Sequence, residues 1–402
     1  MNHWINTPEK LQQWLSPKPA RMGLDTEFMR ERTWWPVLAL VQISIGDEVL
    51  LLDMLAPGMK TALAALLHDE DILKIMHSPS EDLVALGHDC NALPTPMFDT
   101  QAAAALCGEG AGLGYQKLVQ QLLNITLAKG EQRSDWLCRP LSAAQLEYAA
   151  DDVRHLFALH DLLDARLEAL GRRHWLQEDS RRCLENAADD SPEPWPHRGI
   201  RPAQDFPAEA QARLLRLMRW REATARERDL PKNWVIDQPL ALRLAERPPA
   251  SFKALQEILE KTPKSPRKLA RELWHALTTP LADEADMPPV KRDQDIDKKL
   301  LRQLQQAVLQ VAGAHNIPEG LLASRRYLEA LMENWPQWPS ALHGWRQALL
   351  EARFAHILSS PVSAQDALTP FSAHIGNQRE ADEAHKHQIQ LVESRKDTPI
   401  AL

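Results

Sequence analysis

Two carboxylates stand two residues apart in the run Met22-Gly23-Leu24-Asp25-Thr26-Glu27-Phe28. The run reads as a β-strand, and alternation puts Asp25 and Glu27 on one face. Paired acids on an apolar strand repel each other and lose hydration unless something positive neutralises them. A divalent cation with oxygen ligands, magnesium or manganese, meets that need. The alternative is a solvated edge strand with ordinary surface acids. A third acid, Asp82, follows His77-Ser78-Pro79-Ser80-Glu81, where Ser80 is expected to cap a helix at the carboxyl end of a short strand. Sites gather there in sheets covered by helices, and the helix dipole also favours an acid in a first turn. Tyr148 and Asp152 lie four apart, on one face of a helix predicted from its N-cap Ser142 to about Leu170. That spacing suits a structural hydrogen bond or a shared site.

The elements that position these residues read as a mixed α/β domain. Strands are expected over Met22–Phe28, Leu38–Ile45 and Glu48–Asp53, an antiparallel meander turning at Gly46-Asp47. Shorter strands are expected at Ile72–Met76 and Met97–Thr100. Gly108, Gly110, Gly112 and Gly114 follow a helix, and no Gly-Lys-Ser/Thr appears, so no nucleoside triphosphate site is expected. The stretch Leu127–Trp136 lacks periodicity. Its Lys129, Arg133 and Trp136 suit a phosphate backbone and a base, or else a solvated charge pair and a packed indole. Arg30, Arg32 and Trp34 form a charged, aromatic turn with the same two readings.

At 402 residues the chain is too long for one core. The first 186 residues read as the α/β domain, with linkers at 187–205 and 281–292 rich in Pro and acidic residues. All-helical bundles are expected over 206–280 and 293–370, and a polar, flexible tail over 371–402. The net charge is −8, yet residues 206–280 carry 15 Lys and Arg against 9 Asp and Glu. A basic domain on an acidic body points to a polyanion. The four cysteines are scattered without a CxxC pair, against zinc and for a reducing cytoplasm. No apolar run approaches a membrane span.

Taken in chain order, Asp25, Glu27, Asp82, Tyr148 and Asp152 resemble the DEDD exonuclease superfamily in its tyrosine-bearing branch. Asp25-Thr-Glu-Phe-Met-Arg-Glu-Arg-Thr33, His77-x-x-Ser-Glu-Asp82 and Ser134-Asp-Trp-Leu-Cys-Arg-Pro-Leu141 resemble the ribonuclease D family. Leu217-Met-Arg-Trp-Arg-Glu-Ala223 is similar to the HRDC domain, of which that family has two. The resemblance spans roughly residues 1–370. It implies a ribonuclease H-like α/β domain with two all-α domains, and two divalent ions, Mg²⁺ or Mn²⁺, on Asp25, Glu27, Asp82 and Asp152. It implies Tyr148 as the residue that orients the attacking water, and 3′→5′ hydrolysis releasing nucleoside 5′-monophosphates. The implied partner is RNA with a free 3′ end, chiefly tRNA precursors, met by a monomer with no membrane and no nucleoside triphosphate. Arg30, Arg32, Lys129 and Trp136 are the candidate RNA contacts. Removal of residues 206 onward is expected to weaken RNA binding more than chemistry. A DNA 3′→5′ exonuclease and a non-catalytic nucleic-acid binder are the alternatives, and the intact five-residue set speaks against the second.

Overall fold

The computed structural model describes residues 1–128, 130–290, 292 and 296–359. A six-stranded mixed sheet organises the first domain. Its strands are β1 (Asn2–Ile5), β2 (Arg21–Met29), β3 (Val37–Ile45), β4 (Glu48–Asp53), β5 (Leu73–Met76) and β6 (Met97–Asp99), in the order β1-β4-β3-β2-β5-β6. β2, β3 and β4 form the expected antiparallel meander, whereas β5 and β6 run parallel to β2 and β1 runs parallel to β4. Strand β1 is too short and too polar to announce itself as a strand.

Helices α1 (Pro8–Trp14), α2 (Met59–Leu67) and α3 (Ser80–Cys90) cover one face of the sheet. Helices α4 (Thr100–Leu106), α5 (Tyr115–Leu123), α6 (Ala143–Arg154) and α7 (Leu156–Ala169) cover the other, and α8 (Arg173–Ala188) packs against both cores. Met22 and Leu24 of β2 point into the first layer, so Gly23, Asp25 and Glu27 face α6 and α7. A Cβ on Gly23 would collide with Ser44 Oγ and lie 3.1 Å from Leu156, so glycine there lets α7 approach the sheet.

The helix expected from Ser142 to Leu170 is two helices. The backbone breaks at His155 (φ −106°, ψ 5°). The apolar spacing continues across the break, so periodicity could not show it. Ser142 and Gln145 do form the reciprocal cap.

The first helical domain comprises α9 (Ala208–Glu227), α10 (Lys232–Val235), α11 (Gln238–Glu246), α12 (Phe252–Lys261) and α13 (Ala270–Thr278). The second comprises α14 (Lys298–Ala314), α15 (Glu319–Leu322), α16 (Arg325–Asn334) and α17 (Trp345–Ser359). Both stretches expected as linkers are partly built in. Ile200, Ala203 and Val290 join the first helical core. Asp283 and Glu284 accept from Arg219 and Arg216 of α9, at 2.8 and 2.9 Å. The expected tail, 371–402, lies outside the described residues, as does the end of the expected second bundle beyond Ser359.

The second helical domain shares one hydrophobic core with the nuclease-like domain. Trp175 of α8 stacks on Trp345 at 4.5 Å, and Arg346 binds the largely buried Asp179 at 2.9 Å. Arg172 donates both to Leu106 O and to His315 O, each at 2.6 Å. Gly108 (φ +83°) lies under this contact, and a Cβ there would meet Asn316 O at 2.6 Å. Gly108→Ala should therefore cost about 2–3 kcal/mol in urea unfolding, combining backbone strain with a displaced interface. Gly112→Ala, also at positive φ but in open space, should cost about 1 kcal/mol.

Candidate active site

Strand β2 is longer than its neighbour. β5 pairs only with Arg21–Gly23, so the Asp25–Met29 half of β2 projects beyond it. From the end of β5 the chain turns through His77–Pro79 into α3. The Ser78 amide donates to Asp99 Oδ1 at 2.9 Å, which fixes the turn. Asp82 thereby reaches the open flank of β2 and accepts from Thr26 Oγ1 at 2.5 Å. The helix begins at Ser80 itself, preceded by Pro79 and without a side-chain cap, rather than being capped by Ser80.

Helix α6 lies across β2, β3 and β4. Its buried face is Ala149, Ala150 and Val153, small enough to bring the backbone close to the sheet. Tyr148 and Asp152, one turn apart, then stand over the acids of β2. The Tyr148 hydroxyl hydrogen-bonds to Asp152. Carboxylate oxygens of Asp25, Glu27 and Asp152 lie within 4.8 Å of one another. Asp82 stands outside this trio, because Thr26, its partner, points to the opposite face of the strand.

Burial comes first in raising all four carboxyls, and nearby acids add to it, which for Asp82 are Glu81 and Asp99. Asp25 is held well above the usual range by burial and by the charges of Asp82, Asp152 and Glu27. Glu27 is pushed up to about 9, by burial and then by Asp152 and Asp82. Asp152 rises to about 7 despite the Tyr148 hydrogen bond, and Asp82 to about 6 despite that from Thr26. No described Lys or Arg forms an ion pair with any of the four; Arg30, the nearest in sequence, reaches Glu81 at 3.4 Å. Oxygen-only donors, crowded and without a protein counter-charge, fit divalent metal ions. Burial and the neighbouring acids also raise the Tyr148 hydroxyl above its ordinary value, so it stays protonated at neutral pH.

The other sequence candidates divide. Arg30 is engaged by the protein, donating from Nε to Trp34 O at 2.7 Å. Arg32 is exposed. Lys129 lies outside the described residues. Trp136, offered as a base contact or a packed indole, is the packed indole: it is 1% exposed and sits in the core 6.2 Å from the Tyr148 ring. His77 hydrogen-bonds to Thr100 Oγ1 and Leu113 O, and burial lowers it to about 4, so it is a neutral structural ring.

Sequence reasoning missed two groups. Tyr115 Oη donates to Asp151 O at 3.0 Å and accepts from His155 N at 3.1 Å, bracing the α6–α7 break next to Asp152. Lys117 lines a cleft of about 540 Å³ with Gln116, Gln132, Tyr148 and Asp152. Only the helical start at Tyr115 would have hinted at either.

The first domain matches the 3′-5′ exonuclease family over residues 2–168. The HRDC domain matches residues 210–277, and the C-terminal HRDC domain of ribonuclease D matches 297–354. The chain is 52% identical over 361 residues to a ribonuclease D of Xanthomonas oryzae pv. oryzae, covering 90% of this chain and 99% of that protein. It is 32% identical over 366 residues to that of Escherichia coli, covering 84% and 92%. The crystal structure of E. coli RNase D, described as an exoribonuclease involved in structured RNA processing, superposes with a TM-score of 0.79 at 31% identity. It covers 89% of this chain and 99% of that one. Among the described residues no helix is long and apolar enough to cross a membrane.

The raised carboxyls give a pH test. Each holds its proton to higher pH folded than unfolded, so the folded state binds more protons between the ordinary carboxyl range and about pH 9. Stability without metal therefore falls as pH rises through that window. In EDTA the melting midpoint should be lower at pH 8.5 than at pH 5.5. Mg²⁺ should raise it by about 3–6 °C at pH 8.5 and by less than about 1 °C at pH 5.5. Equal shifts at both pH values would show that protons and metal do not compete for these groups.

Proposed function

The chain belongs to the ribonuclease D family, whose members are 3′→5′ exoribonucleases, and from that premise we propose that it trims structured RNA, tRNA precursors foremost, releasing nucleoside 5′-monophosphates. The observation that carries this reading is the convergence of Asp25, Glu27 and Asp152 beside Tyr148, with Asp82 at the flank. The involvement of the E. coli relative in structured RNA processing supports structured RNA as the substrate class.

Asp25, Glu27, Asp82 and Asp152 would hold two divalent ions, Mg²⁺ or Mn²⁺. When bound, such ions neutralise phosphoryl oxygens, lower the pKa of water and stabilise the departing alkoxide. The protein's own groups do the rest. Tyr148, protonated and tied to Asp152, is a donor and not a base; it orients the attacking water. The 540 Å³ cleft beside it admits the 3′-terminal nucleotide. Lys117 faces that cleft without a described carboxylate partner and binds the backbone phosphate there. Lys253, Lys264, Lys268 and Arg271 are exposed on the first HRDC domain and extend the grip to upstream RNA. Binding through them falls with salt. The protein acts as a monomer in the cytoplasm.

The decisive assay is a 5′-labelled stem RNA with a short 3′ overhang, beside a matched DNA and an EDTA control. A metal-dependent ladder on RNA, faint on DNA, is expected; better shortening of DNA would make this a DNA exonuclease. Asp25→Ala should abolish hydrolysis and leave RNA binding in EDTA unchanged. Tyr148→Phe should lower kcat about 100-fold at constant KM. Lys117→Ala should raise KM about tenfold with little change in kcat, the loss of one charged hydrogen bond. A Lys117→Ala enzyme with unchanged KM would place the substrate outside this cleft.

A further inference from the structure

We propose that Asp229, in the first HRDC domain, is a positioning residue for the nuclease centre, holding the Trp34–Trp35 turn that fixes the first turn of α3 and with it Asp82. This rests on the exoribonuclease reading above and adds to the HRDC domain a part in the chemistry.

Asp229 follows the end of α9 in the left-handed region (φ +49°), which Asp and Asn tolerate better than other side chains. From there its Oδ1 accepts two consecutive backbone amides of the other domain, Trp34 N at 2.9 Å and Trp35 N at 3.0 Å. The two indoles complete the joint. Trp34 is buried with Val235 and Leu269 of the HRDC domain, and Lys232 and Arg226 lie over its ring at 4.6 and 5.2 Å.

The same turn holds α3 at two points. Trp35 stacks on His88 at 4.4 Å with the rings 4° from parallel. Trp34 O accepts from Arg30 Nε at 2.7 Å, and the Arg30 guanidinium reaches Glu81, the residue before Asp82. α3 has no side-chain cap of its own. Its first turn is placed by the buried Leu83 and by outside polar contacts: Asp99 on the Ser78 amide, Thr26 on Asp82, and the clamp. The clamp is the one that belongs to another domain. Arg30 is thus assigned to this frame and not to RNA. On this reading, loss of residues 206 onward lowers kcat as well as weakening RNA binding.

The test uses the full-length protein and a tetranucleotide RNA, whose few phosphates limit its contact with the HRDC domain. Asp229→Ala should lower kcat on it about tenfold, the effect of a misplaced catalytic group, with KM within about twofold. Mn²⁺ binding without substrate, read from the paramagnetic resonance of free ion, should weaken several-fold. Asp229→Asn keeps an oxygen acceptor and the left-handed preference, and should recover both within about twofold. Arg30→Ala should reproduce the loss, and the double variant should be no worse than either single one. Wild-type kcat and Mn²⁺ binding in Asp229→Ala, no recovery in Asp229→Asn, or additive effects of the pair would each overturn the proposal. If Asp229→Ala does not fold, Arg30→Ala carries the test, and wild-type values there overturn it. A wild-type enzyme that never shortens RNA would sink the exoribonuclease reading instead.

Discussion

Crowding of four carboxyls around the free half of one strand is the constraint on which this structure depends. Each is raised first by burial and then by its neighbours, so the chain stores repulsion at one place. Burying acids without counter-charges costs several kcal/mol unless protons or cations bind. Among the described residues no Lys or Arg is ion-paired with any of the four. Arg30 is turned toward Glu81 and the Trp34 carbonyl, and Arg154 pairs with Asp151 and Glu147. The arrangement is unfavourable for an empty protein and favourable for one that works loaded with metal.

The rest of the α/β domain can be understood as the frame that keeps those groups from moving apart. β2 pairs with β5 at Arg21–Gly23 and with β3 from Gly23 to Met29, which restrains its main chain. Gly23 brings Leu156 and α7 onto the sheet. Tyr115 closes the backbone break that follows Asp152. Gln42, opposite Asp25 in the β2–β3 register, is fully buried with no hydrogen-bond partner for its amide among the described protein groups. A polar group so placed costs stability, and its position under the acids ties that cost to the site.

What could be read from sequence was what depends on short spacing. Asp25 and Glu27 share a face because strands alternate, and Tyr148 and Asp152 share one because a helical turn is close to four residues. The meander was legible from apolar runs and the Gly46 turn. What escaped depends on contacts distant in sequence. For Trp136 the sequence left a base contact and a packed indole both open, and only its burial beside Tyr148 of α6 decides for the second. The break at His155 follows from Tyr115, forty residues upstream. The Pro-rich stretches look like free linkers, yet Arg216 and Arg219 bind one of them to α9.

The two helical repeats show how one sequence feature can serve different ends. Each has a long helix ending in a left-handed residue before an aliphatic-Pro pair: Asp229-Leu230-Pro231 in the first, Asn316-Ile317-Pro318 in the second, at φ 49° and 48°. Both turns meet the nuclease domain. Asn316 seats against Gly108, in a contact continuous with a shared apolar core and the Trp175–Trp345 stack. Asp229 instead meets two backbone amides, with cations over an indole and a small apolar cluster beneath. A contact with a large core holds by burial and opens only with unfolding of its surroundings. One built on a few hydrogen bonds and cation–π contacts opens at lower cost. The second repeat is therefore held mainly by burial in a shared core, and the first, basic repeat mainly by polar contacts over a small apolar cluster.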